Sequence, residues 1–301
     1  MDSDAGIRAA EPPTPSRPRA RRGIKPKRAL LRTLLLACSG WAWAVGSANA
    51  FADEVRLKAQ IQSVLLPSPY RLSPAARGGT IRYRLGERDA AVDWPWPQTG
   101  EQRVRRTPTG LELTVCRDCG REAAPDAEAL RRYRAPTPWL QSDDRAIAGF
   151  ARAAGVGRVD ARMRRLVAAV QAQLSGPVVY SGYRSAREAW ALRAGDCTEY
   201  ALLLAAAARA RGIPARVVAG VAYGSRFVGR AHAFGPHMWV QAWNGERWVS
   251  YDAGLGQFDA GHLALAVGDG SPDSLRGAMQ AIAGLRIEDA VGVLGEAPGA
   301  N

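Results

Sequence analysis

Met163, Leu166, Val167, Val170 and Leu174 recur at i, i+3, i+4, i+7 and i+11, the spacing of one helical face. Ser175-Gly176-Pro177 ends that predicted helix. A shorter helix before it opens at Asp143-Asp144 and closes near Gly155. A third begins at Asp196-Cys197-Thr198-Glu199 and runs through Leu202–Leu204 and Ala205–Ala208 to Arg211, with Gly212 as the C′ residue and Pro214 beyond. It is apolar nearly all round, which predicts a buried central helix. Between residues 51 and 134 the period changes. Thr80–Leu85 and Arg103–Val115 alternate as strands do, separated by Gly78-Gly79 and by Trp94-Pro95-Trp96-Pro97. Further on, His237–Trp243 and Glu246–Asp252 flank Asn244-Gly245, the strongest two-residue hairpin signal.

A two-residue turn sets Trp243 against Glu246, and counting back sets His237 directly opposite Asp252. Opposed residues share a face, so a carboxylate there would fix the imidazole tautomer and steady its charged form. Asp196 suits an N-cap, with Glu199 at N3 completing a capping box. Cys197 then takes the first helical position, where unpaired N–H groups and the helix dipole favour a thiolate. A lone buried cysteine is usually inert. A helix-capped cysteine together with a cross-strand His–Asp pair points instead to nucleophilic catalysis.

Composition adds bounds. With 47% hydrophobic and 23% charged residues, 301 residues form a globular chain of one large or two modest domains, and disorder, collagen and coiled coil are excluded as its main description. The net charge of +13 is uneven: residues 1–50 hold +6, and the rest hold +7 with Lys58 as their one lysine. The high pI therefore gives no reason to expect a nucleic-acid partner. A basic run, Arg17–Arg32, precedes Leu34-Leu35-Leu36 and Trp41–Val45, and Ala48-Asn49-Ala50 closes the segment. These are the parts of a signal peptide cleaved after Ala50, implying a periplasmic or secreted protein. Membrane association is expected only if the leader stays or if Cys38, in a weak lipoprotein-like context, is acylated. With the leader gone, Cys116, Cys119 and Cys197 remain. In an oxidising compartment the close pair is expected to form a structural disulfide, leaving Cys197 free. A redox site at the pair is the rival reading. No zinc ligand set is apparent, and no metal or other cofactor is expected.

The chain resembles the transglutaminase-like superfamily at Arg193–Ala201, Gly212-Ile213-Pro214-Ala215-Arg216, His237-Met238-Trp239 and Tyr251-Asp252-Ala253, with Gly254–Gln257 and Gly261-His262 similar to its exported bacterial branch. The resemblance covers about residues 140–270. It implies Cys197 as nucleophile, His237 as base and acid, and Asp252 as the orienting group. It also implies an α+β, papain-like transglutaminase core, the cysteine helix packed on an antiparallel sheet. No acidic calcium loop of the animal enzymes is present, and the candidate oxyanion donors are the Cys197 backbone N–H and the Trp190 indole. Of the other histidines, His232 lies in a loop-like approach with no carboxylate opposite it. For His262 a local contact with Asp259 is the simplest account. The expected organisation is a signal peptide (1–50), a mostly-β N-terminal domain (51–134) and a catalytic domain (135–301), with Ala135-Pro136-Thr137-Pro138 as linker. The expected activity is cleavage or transamidation of peptide or protein amides through an acyl-thioester, with hydrolysis favoured. A non-catalytic scaffold on the same fold is the alternative.

Overall fold

The computed structural model describes residues 59, 62–87, 94–108, 110–178, 183–227 and 229–293. The expected leader lies outside them. Strands β1 (Leu66–Pro67), β2 (Thr80–Glu87), β3 (Gln102–Thr107) and β4 (Gly110–Val115) come first, with a short helix α1 (Pro74–Gly78) between β1 and β2. Five helices follow: α2 (Ala127–Arg132), α3 (Arg145–Phe150), α4 (Val159–Gln173), α5 (Ala186–Leu192) and α6 (Cys197–Ala210). Then come β5 (Ala215–Phe227), β6 (Arg230–Trp243), β7 (Trp248–Tyr251), β8 (His262–Gly268), α7 (Pro272–Ala283) and β9 (Leu285–Val293). No helix among the described residues is long and apolar enough to cross a membrane.

The predicted helices form for the expected reasons. Asp144 caps α3 by accepting from the Ala146 and Ile147 N–H groups. On α4, Met163, Leu166, Val167 and Val170 are buried. Ten residues of α6, from Glu199 to Arg209, are buried. This helix packs on a five-stranded antiparallel sheet in the order β1-β6-β5-β8, with β7 paired to β6, and the fold is α+β as expected.

A second antiparallel sheet has the order β3-β4-β2-β9. Its last strand comes from the far end of the chain, so the β-rich N-terminal stretch is completed by residues from beyond the expected 134/135 boundary. The two sheets also meet directly, because the Gln102 amide donates to Ala264 O at 2.9 Å and accepts from Ala264 N at 2.8 Å. All the described residues fall in one compact unit, Glu54–Asn301. Cys116 and Cys119 are joined as a disulfide, and Cys197 is free.

Candidate active site

The cysteine is positioned by its cap. The Asp196 carboxylate accepts from Thr198 N at 2.9 Å, and Glu199 reaches back to Asp196 N at 2.8 Å. That closure needs a bare residue at 195, since a Cβ there would stand 2.4 Å from Glu199 Cβ. Cys197 opens α6 half-buried.

The hairpin arrives in a register other than the expected one. Trp243 pairs with Trp248 and Val240 with Tyr251, so the turn has four residues, not two. Asn244 is the cause. Its Oδ1 accepts from Glu246 N and Arg247 N at 3.0 and 2.9 Å, and Asn244 N donates to Arg247 O, with Gly245 at φ 107°. The side-chain turn lengthens the loop by two residues, Glu246 and Arg247, both on the β7 side. Asp252 therefore lies just past the end of β7 instead of directly opposite His237. A slip of two keeps every side chain on its face, so the carboxylate reaches the imidazole diagonally, with His237 Nε2 and Asp252 Oδ2 2.7 Å apart.

Asp252 is the hub. Its Oδ1 accepts from Gly254 N at 2.7 Å and Leu255 N at 3.1 Å. Its Oδ2 takes His237 Nε2 and, at 3.0 Å, His262 Nε2. Burial alone would raise this carboxyl, but the charge and hydrogen bond of His237 and those of His262 outweigh it and hold it well below the usual carboxylate range. With Nε2 committed to Asp252, the Nδ1 edge of His237 is the one left for a reacting group. Gly254 shows how the parts converge: a Cβ built there would lie 3.2 Å from His237 Cε1, 3.3 Å from Asp252 Oδ1 and 3.8 Å from Cys197 Cα. Trp239 backs the cluster, with its ring 6.2 Å from that of His237 and near-parallel, and 5.2 Å edge-on to that of His262.

The thiol departs from expectation. Burial, then the Asp196 charge, push it up, and the Met238 backbone N–H pulls the other way. The sulfur therefore rests protonated, since desolvation beside carboxylates outweighs the helix-start effect. Contact with Met238 also sets it beside the residue that follows His237.

His262 is the participant the sequence reading undervalued. Besides the expected contact with Asp259 (Nδ1 to Oδ1, 3.3 Å; to the carbonyl, 3.1 Å), it shares the Asp252 carboxylate. Strand order explains this. β8 lies beyond β5 from β6, and on β5 the small residues Gly220 and Ala222 face His237 and His262 respectively. With no bulky side chain between them, the two imidazoles come within 5.7 Å across the sheet. His232, by contrast, bonds Tyr223 Oη through Nδ1 at 2.8 Å and belongs to another part of the molecule. Trp190 packs half-buried against the core, and its indole nitrogen forms no hydrogen bond among the described residues. The donor atoms of His237, Asp252 and His262 lie within 4.8 Å of one another, a spacing that would also suit a metal ion. The hydrogen bonds just described account for it.

Burial opposes a charge on His262, but the hydrogen bonds to Asp252 and Asp259 outweigh it and push its pKa up to about 9. A histidine raised in the fold stabilises it fully below its unfolded value, about 6.5, and that contribution is lost as pH rises through about 9. Thermal melts from neutral to alkaline pH are expected to fall more steeply for the natural chain than for His262→Gln. Parallel curves would refute a charged His262.

Residues 149–253, which include Cys197, His237 and Asp252, match the family model described as the Transglutaminase-like superfamily. No curated protein matches the chain. Among solved structures it is similar to a candidate cysteine protease from Cytophaga hutchinsonii, at 17% identity over 70% of this chain and 81% of that one, with a TM-score of 0.40. It is also similar to the periplasmic domain of TgpA from Pseudomonas aeruginosa with ethylmercury bound, at 24% identity over 60% and 74% of the two chains, with a TM-score of 0.39.

Proposed function

We propose that this chain, with its transglutaminase-like segment at 149–253, is an exported cysteine enzyme that opens peptide or protein amides through an acyl-thioester on Cys197. The supporting observation is the convergence of a half-buried thiol at a helix start, an imidazole and a saturated buried carboxylate around Gly254.

As the sulfur attacks the carbonyl carbon, its proton passes to His237 Nδ1, while Nε2–H stays on Asp252. The C–S bond forms and the carbonyl electrons move to oxygen, where the Cys197 backbone N–H at the open end of α6 is a fitting donor. His237 then returns the proton to the leaving nitrogen, the C–N bond breaks, and the thioester remains. Water or an amine, deprotonated by the same Nδ1, attacks the thioester carbon, the C–S bond breaks, the proton returns to the sulfur, and the product is that of hydrolysis or transamidation. Hydrolysis is the fate proposed. A thiol held protonated at rest fits this scheme, because the base and the nucleophile act in one step. No metal or other cofactor is invoked.

The raised thiol also suits the rival reading of a scaffold that has kept the fold. Incubation of the full chain with a peptide mixture, followed by acid quench and mass spectrometry, separates the two. An acyl adduct on Cys197 that disappears in His237→Ala is the expected result. No adduct on any cysteine, with peptides unchanged, would favour the scaffold.

A further inference from the structure

Beside Asp252 lies a groove of about 580 Å³ that the mechanism above does not use. One wall is α4, with Asp160 and Arg164, and the floor is β7. Gly256 and Gln257 border it near the catalytic cluster, while Arg117 and Arg247 line it as well. The disulfide of Cys116 and Cys119 closes the short loop that carries Arg117.

We infer that this groove is an anion-recognising subsite, and that the enzyme selects peptides carrying a carboxylate two or three residues from the amide it opens. The inference rests on the amide-opening reading given above. Charge is the first argument. Three arginines line the groove, and neither Arg117 nor Arg164 has an ion-pair partner for its side chain among the described residues. Arg247 pairs with Asp118 at 3.2 Å and donates to Arg117 O.

The groove's own carboxylates are occupied. Asp160 Oδ1 accepts from the neutral Tyr251 hydroxyl at 2.6 Å, which leaves its negative charge to offset one of the arginines. Asp252 is saturated by two imidazoles and two backbone N–H groups. Glu101 is buried, accepts from Ser250 N at 2.9 Å, from the Ser250 hydroxyl and from the Gln241 amide at 3.1 Å, and has its pKa raised by burial. A ligand carboxylate would therefore meet unspent positive charge in a recess, where screening is weaker than on an open surface.

Distance is the second argument. The loop that borders the groove at Gly256 and Gln257 touches the reacting centre at Gly254, where a Cβ would stand 3.8 Å from Cys197 Cα. Two residues of extended chain cover about 7 Å. A peptide acylating Cys197 is thus expected to meet the Gly256–Gln257 edge of the groove with its second or third neighbouring residue.

The test is fluorescence anisotropy on the full chain carrying Cys197→Ala, so that binding is read without turnover. One probe is a rhodamine-labelled, C-terminally amidated peptide, Gly-Glu-Glu-Gly-Gln-Gly-Glu-Glu-Gly, acidic on both sides so that either chain direction presents a carboxylate. The other has each Glu replaced by Gln. The acidic probe is expected to bind about tenfold tighter, the effect of one charge-assisted pair. That preference should shrink as salt is added and fall below about threefold when Arg117→Gln and Arg164→Gln are introduced together. Equal affinities, or a preference untouched by the double substitution, would overturn the subsite. A preference that the two arginines carry, beside no turnover of either peptide by the chain that keeps Cys197, would sink the amide chemistry and leave the subsite standing.

Discussion

Cys197→Ala is expected to abolish amide turnover while the fold persists. The sulfur is the atom that bonds to substrate carbon, and its neighbours in the proposed scheme act only through it. Removing one member of such a unit costs about as much as removing all, on the order of 10⁶ in kcat for a well-studied serine protease. The expected loss here is at least about 10⁴-fold. Stability moves little, because alanine is the best helix former and one half-buried sulfur leaves a small gap, about 1 kcal/mol at most. For a chain of this size that shifts Tm by roughly 2–4 °C. His237→Ala should match the loss of turnover, and the double variant should be no worse than either single one. Activity in Cys197→Ala above about a thousandth of the natural level would end the nucleophile assignment. Steady-state kinetics beside circular-dichroism melts gives both readings.

The elements that sequence made legible are those whose signals are local. Asp144, Asp196 and Gly212 mark helix ends because capping is chemistry within four residues, and Met163 to Val170 mark a face because burial follows the 3.6-residue period. The hairpin was half legible. Asn244-Gly245 located the turn, but the Asn244 side chain bonded the backbone two and three residues on, and the loop became four residues long. His237 and Asp252 still met, since an even slip leaves faces unchanged.

What sequence hid depended on strand order. β9 completing the sheet of β2, β3 and β4, and β8 lying one strand away from β6, are long-range pairings with no local signature. His262 belongs to that class. Its short-range partner Asp259 was visible at i−3, and its long-range partner Asp252 became visible only with β5 in place between the two histidines. The thiol was misjudged for a related reason. A helix start is a local feature, whereas the burial and the Asp252 charge that oppose a thiolate come from the assembled site.

Sharing one carboxylate oxygen between two imidazoles makes Asp252→Asn and His262→Gln differ in kind. An asparagine at 252 keeps an acceptor for the Gly254 and Leu255 N–H groups, so the turn survives. Its NH₂ group, however, faces two Nε2 atoms that were donors. His237 then answers by accepting at Nε2, which puts its proton on Nδ1, the nitrogen that must receive the proton of Cys197. Turnover is expected to fall about 10⁴-fold at every pH, the loss known for a wrong tautomer in a triad. The fold also suffers by about 3–5 kcal/mol, because a buried charge on His262 loses one of its two carboxylates. His262→Gln acts differently. The glutamine amide can still donate toward Oδ2, so the carboxylate stays oriented while the positive charge beside His237 is gone. Asp252 then serves one imidazole alone. The expected outcome is a loss of only about tenfold in kcat/KM. An unchanged kcat/KM in His262→Gln would reduce His262 to a packing role, and a 10⁴-fold loss would make it the equal of Asp252 in orienting the base.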